Sequence, residues 1–395
     1  IAESGVNVQK GQEVFITAGL DQPEFVAMVV EECYRRKAKK VVVDWNYQPL
    51  TRLHVRHQSL TTMSTLDNYE EARWQHYVDT IPCRIYLESD DPDGLRGVNQ
   101  EKMAKAQQKK YPIIKGYRDQ IENKYQWCIA AVPGVKWAKK LFPELRASQA
   151  VEKLWEAILH TSRVDDDPVA AWDVHNKDLK ARCDYLNSLG IRELQYHASN
   201  GTDLRVGLMD EGLWLGGAEK TVGGVIFNPN IPTEEVFTTP KRLCAEGFVA
   251  ATKPLSFMGQ VIDGFSFEFK DGRAVSCRAK RGQALLEKMI ALDEDANALG
   301  EVALIGKDSP INQSGLLFYE TLFDENASCH LALGMGFTNT VPGFEAMTRE
   351  ELTARGVNDS VHHTDFMIGA DDLRVTGKTR GGEDVCVFEN GLWKF

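Results

Sequence analysis

Glu13-Val-Phe-Ile-Thr-Ala18 and Lys40-Val-Val-Val-Asp-Trp45 decide the fold of the first half of this chain. Each is a short apolar run, and Gln22-Pro23 opens a stretch of helical spacing between them. Phe25, Met28, Val29 and Cys33 form the expected buried face of that helix, because residues three and four apart share one side. Strand, helix and strand within about 35 residues fit a βαβ unit, which predicts a parallel sheet. Residues 83–87 and 127–132 are further expected strands, and 151–161 an expected helix. Asp165-Asp166-Asp167-Pro168 offers caps and a first-turn proline for a helix running to about residue 188. The domain boundary is placed there, with an N-terminal α/β domain at 1–188 and a β-rich α+β domain at 189–395.

The second half is expected to be strand-rich, at 202–208, 222–227, 247–252 and 301–305. Residues 265–269 and 274–278, joined through Asp271-Gly272, form an expected hairpin. Residues 283–298 suggest a helix, and the alternation with glycine pairs over 373–395 suggests more hairpins.

Composition narrows the function. The 395 residues carry 46 Lys+Arg against 57 Asp+Glu, a formal net charge of −11. That balance argues against a protein built to grip nucleic acid and against adhesion to anionic membranes. No apolar run approaches the roughly 20 residues needed to cross a bilayer. Residues 101–153 form one basic stretch, expected to be a solvated helical face. Ile1 is not an initiator residue, so the true N-terminus is expected upstream. The eight cysteines are scattered without any C-x-x-C pair, which predicts free thiols and a cytoplasmic location.

Several segments could carry chemistry. In an extended segment, His363 and Asp365 share a face and His362 points away. An imidazole beside a carboxylate suits a divalent cation, although H-x-D also arises by chance. His330 sits among small and apolar residues, as a core histidine also would. Glu301 begins an apolar strand, where a buried acid needs a partner. Glu234 and Glu235 precede Val236-Phe237 and could equally cap a turn. H-E-x-x-H, G-x-S-x-G, the Walker loop and G-x-G-x-x-G are all absent.

Four segments taken together resemble the M29 family of metallo-aminopeptidases. They are Asn230-Ile-Pro-Thr-Glu-Glu-Val-Phe-Thr-Thr-Pro240, Leu299-Gly-Glu-Val-Ala-Leu304, Thr321-Leu-Phe-Asp-Glu-Asn-Ala-Ser-Cys-His-Leu-Ala-Leu-Gly334 and His363-Thr-Asp-Phe-Met-Ile-Gly369. Their order and spacing also match. The resemblance implies that Glu235, Glu301, His330, His363 and Asp365 ligate two divalent metal ions: zinc, cobalt or manganese. It implies catalysis through Glu301, with Glu234 as a general-base candidate. The implied reaction releases N-terminal residues from short peptides by a metal-activated water. A homodimer enclosing its active sites is implied too. The family pattern places a tyrosine seven residues after the histidine of the Glu325-Asn-Ala-Ser-Cys-His330 segment, and here that position is Phe337. Two other readings compete. His330, His363 and Asp365 could hold one iron in a ring-cleaving dioxygenase, or the scaffold could be a catalytically idle binding protein.

Overall fold

In the computed structural model, which describes every residue from Ile1 to Phe395 except Gly259, the expected βαβ unit is present. Strands Glu13–Gly19 and Lys40–Asn46 run parallel and are joined by helix Pro23–Arg35. Proline at the first helical position loses no hydrogen bond there. The helix buries Val26, Val29 and Cys33, whereas Met28 is 63% exposed. The expected face is therefore corrected: Val26, not Met28, meets the sheet, and the stripe follows i, i+3, i+7. Strands Cys83–Glu88, Trp127–Ala131 and Asn230–Ile231 complete a five-stranded parallel sheet. Its core includes Val14, Ile16, Ile85, Leu87 and Cys128.

The chain forms two compact units rather than two consecutive halves. One comprises Ile1–Trp172, Ala218–Pro232 and Met258–Gln260; the other comprises Asp173–Gly217, Thr233–Phe257 and Val261–Phe395. A cut at 188 differs from this for two reasons. Strand Asn230–Ile231 adds to the parallel sheet beside Trp127–Ala131. Helix Pro168–Leu189, whose residue Ala170 donates its N–H to the Asp167 side chain, sends Leu179, Cys183 and Leu186 into the core of the second unit.

That second unit holds a nine-stranded sheet and a four-stranded antiparallel sheet. Strand Asp203–Leu208 and hairpin Gln260–Lys270/Arg273–Arg281 match expectation. Residues 247–250 end a longer strand, Pro240–Ala250. Two expectations fail. The helix beginning at Gln283 stops at Met289, and downstream Asp293 accepts hydrogen bonds from the N–H of Asp295 and from Ser360 and Val361, which turns the chain. Of 222–227 only Ile226–Phe227 is strand, because Gly224 takes φ +88° in the turn from Glu219–Lys220. The basic stretch includes helix Gln100–Ile121, where just Ala106 and Ile121 are buried. No helix among the described residues is long and apolar enough to cross a membrane.

Candidate metal centre

The four-stranded sheet orders its strands Val236–Thr238, Leu299–Leu304, His330–Gly334 and His363–Met367. Residues directly opposite on paired strands project from the same face. Glu301 lies opposite Ala332, which lies opposite Asp365. His363 lies opposite Gly334 in the same way. Small residues in the middle strand thus leave room for acids and imidazoles from either side. The other face carries Val302, Leu304, Leu331 and Leu333 into the apolar core.

Gly300 makes this possible. The register slips between Leu299 and Glu301, so Leu299 pairs with Leu333 on the core face and Glu301 turns to the opposite face. A Cβ on Gly300 would come within 2.4 Å of both the Gly334 and Met335 carbonyl oxygens. Gly300→Ala is therefore expected to cost about 2–4 kcal/mol, the range of severe single changes. Denaturant unfolding measures it, and a loss below about 0.5 kcal/mol would show that the bulge accepts a side chain.

The structure brings together all five residues proposed from sequence as ligands. Glu235, Glu301 and His330 offer ligand atoms within 4.8 Å of one another, and so do Glu301, His363 and Asp365. Glu301 belongs to both groups. His363 Nε2 lies 2.9 Å from Glu301 Oε2 and 3.1 Å from Asp365 Oδ1. His330 Nε2 lies 3.4 Å from Glu235 Oε2 and 3.9 Å from Asp365 Oδ1. Each ring is oriented from behind. His363 Nδ1 donates to the Met335 carbonyl at 2.7 Å, and His330 Nδ1 to the Glu325 carbonyl at 2.9 Å. A carbonyl can only accept, so Nδ1 carries the proton and Nε2 is directed to the centre, as in metal-binding histidines. His362 points away as expected, donating from Nε2 to the Ala296 carbonyl at 3.1 Å.

Charge is crowded here. Burial pushes the Glu301 carboxyl up to about 7, even though His363 favours its anion. Burial also works against the cation of His330, but the carboxylates of Glu235, Glu301 and Asp365 outweigh it and raise that ring to about 9. Burial opposes the charge on Asp365 as well, yet His363 and His330 hold it below the usual carboxylate range. Asp365 Oδ1 is buried without a hydrogen-bond partner. Divalent cations relieve such a surplus of anions, and the mixed oxygen and imidazole donors suit them.

Two further acids complete the picture. Glu234 is buried, its backbone N–H donates to Asn326 Oδ1 at 2.8 Å, and its carboxylate lies 3.9 Å from His175 Nε2. It belongs to neither ligand group. Glu325 went unnoticed in the sequence. Burial first, then the fields of Asp365, Glu235 and Glu301, raise its carboxyl well above the usual range. The available signal was its place beside Asp324, five residues before His330. Phe337 packs its ring 4.9 Å from that of His363 and 5.1 Å from that of Phe237.

Comparison with known proteins covers the whole chain. Residues 1–393 match the family described as thermophilic metalloprotease (M29). The chain is 40% identical to Aminopeptidase 2 of Geobacillus stearothermophilus, covering 99% of this chain and 95% of that protein. It is 38% identical to Aminopeptidase AmpS of Bacillus subtilis, covering 100% of this chain and 96% of that one. Wild-type AmpT from Thermus thermophilus superposes with a TM-score of 0.89 at 36% identity, over 100% of this chain and 97% of that structure. Full-length likeness at these identities leaves no room for a different scaffold, and the chain belongs to the M29 family of thermophilic metalloproteases.

Proposed function

We propose that this chain is an aminopeptidase that uses two divalent cations, zinc, cobalt or manganese, to release N-terminal residues from short peptides. The observation that carries the proposal is a pair of three-residue ligand groups sharing Glu301. Glu235, Glu301 and His330 would hold one cation; Glu301, His363 and Asp365 would hold the other. Such a pair, when bound, lowers the pKa of a shared water and polarises the scissile carbonyl. The surplus of buried carboxylates also favours a substrate that arrives with a positively charged terminal amine.

Glu325 is our candidate for carrying the proton from water to the leaving amine. Its carboxyl, raised in the metal-free site by burial and by neighbouring anions, would come down once cations balance those anions. Glu234, placed against His175 and tied through its backbone to Asn326, is proposed to brace the Glu235 segment instead. The one-iron alternative would use His330, His363 and Asp365 alone. Glu235 and Glu301, buried beside them, favour two cations. Metal analysis separates the readings, since one iron per chain would support the oxygenase.

An aminoacyl chromogen assayed with added cobalt or zinc tests the activity. Cleavage of the free-amine substrate but not of its N-acetylated form is expected. No cleavage of any aminoacyl substrate at full metal loading would contradict the proposal and favour an idle binding protein. Phe337 gives a narrower test. Its ring cannot hydrogen-bond a developing oxyanion, so Phe337→Tyr is expected to raise kcat by up to roughly 10²-fold. An unchanged or lower kcat would make the position one of packing alone.

The proposal includes a cytoplasmic setting, supported by eight free cysteines, of which Cys33, Cys83, Cys128, Cys183 and Cys329 are buried. It also includes a homodimer, for which light scattering should give twice the chain mass.

A further inference from the structure

A second cavity lies on the parallel sheet. Phe15, Thr17, Asp44, Arg84 and Tyr86 share one face of the parallel sheet, since they pair directly or alternate along their strands. Together with helix Asn68–Thr80 they line a cavity of about 570 Å³, well within the range of small-molecule sites. The chain runs from the first strand to a neighbour on one side and later to Cys83–Glu88 on the other. Strand order therefore reverses at Glu13–Gly19, and the cavity lies on the face of the sheet at that strand.

Arg84 is the unusual wall. It is 9% exposed, and its guanidinium carbon lies 4.1 Å from the ring centroid of Tyr77, 4.9 Å from that of Tyr125 and 5.2 Å from that of Trp74. Nε and Nη2 are buried with no hydrogen-bond partner. Ring faces attract the cation but leave its in-plane N–H groups unsatisfied, and a buried charge without an anion is costly. Arg73, the other arginine of the cavity, is already engaged by the Asp44 carboxylate and donates from Nε to the Tyr77 hydroxyl at 2.5 Å. With Nε and Nη2 buried, Nη1 is the guanidinium nitrogen left for an anion in the cavity to reach, and the surroundings are aromatic.

We propose that this cavity binds a small aromatic anion, with its carboxylate or phosphate on Arg84 and its flat body against Trp74 and Tyr86. The site is distinct from the metal centre and does not depend on the peptidase reading. Calorimetric titration of the metal-loaded protein with benzoate and with phenyl phosphate tests it and separates the two anion types. One-to-one binding of at least one probe is expected, at least tenfold tighter than phenol or inorganic phosphate. Arg84→Met should weaken that binding more than tenfold and leave the Tm of the unliganded protein unchanged or higher, because an unpaired buried charge has gone. Thr17→Phe, which fills the cavity and keeps Arg84, should also abolish binding, and it serves if Arg84→Met does not fold. No saturable binding to the wild type, or binding that survives either folded variant, would overturn the proposal. A lower Tm in folded, unliganded Arg84→Met would do the same, by showing the cation to be satisfied by its aromatic box.

Discussion

Glu301→Ala is expected to abolish peptide hydrolysis, by roughly 10⁴-fold or more in kcat, which is about 5.5 kcal/mol of transition-state stabilisation. The reason lies in the sharing. Each of the other four proposed ligands belongs to one group, but Glu301 belongs to both. Its loss leaves Glu235 with His330 on one side and His363 with Asp365 on the other, two donors each. The same change should not unfold the protein. Glu301 is 3% exposed and its carboxyl resists ionisation in the metal-free site, so removing it takes away a buried acid rather than a packing element. Kinetics, metal content and thermal unfolding on one preparation check this. Retained hydrolysis with two bound cations would remove the basis of the site.

The second large effect concerns the cations themselves. Exhaustive chelation is expected to abolish hydrolysis and to lower the Tm by on the order of 10 °C. A ligand present at 1,000 times its Kd contributes about 4.1 kcal/mol, and about 2–4 °C accompanies each kcal/mol in a unit of this size. The loss should depend on pH. Both His330, raised from 6.5 to about 9, and Glu301, raised from 4.5 to about 7, bind protons more tightly in the folded state. Their contributions are fully present below the unfolded values and disappear as pH rises through the folded ones. Asp365, held low, contributes steadily across that window. Metal-free protein should therefore lose stability between about pH 4.5 and 9. Loaded protein should keep it, because the cations replace those protons. A flat metal-free profile over this range would contradict the arrangement described.

Much of the architecture was legible because it rests on local patterns. Glu13-Val-Phe-Ile-Thr-Ala18 is apolar enough to be a buried strand, Lys40-Val-Val-Val-Asp-Trp45 pairs with it as a half-buried edge strand, and Pro23 marks the helix between them. His363 and Asp365 were readable as neighbours because strand periodicity fixes their common face. Other features had no local signal. Gly300 turns Glu301 over through a bulge that exists only against the neighbouring strand. Strand Asn230–Ile231 is two residues long and takes its place by joining a sheet formed a hundred residues earlier. The helix at Gln283 carries good helix formers past Met289, but Asp293 finds its partners in Ser360 and Val361, far along the chain. Glu325 has no local signal beyond its place beside Asp324, because His330, Asp365 and Glu235 gather around it only in the fold.

Diffraction from a zinc-loaded crystal, recorded at the zinc absorption edge, counts the cations and shows which side chains hold them. Two anomalous peaks per chain are expected, roughly 3.5–4 Å apart. Carboxylate oxygens of Glu301 should lie about 2.0–2.2 Å from each. A single peak held by His330, His363 and Asp365, or two peaks with Glu301 bound to neither, would contradict it.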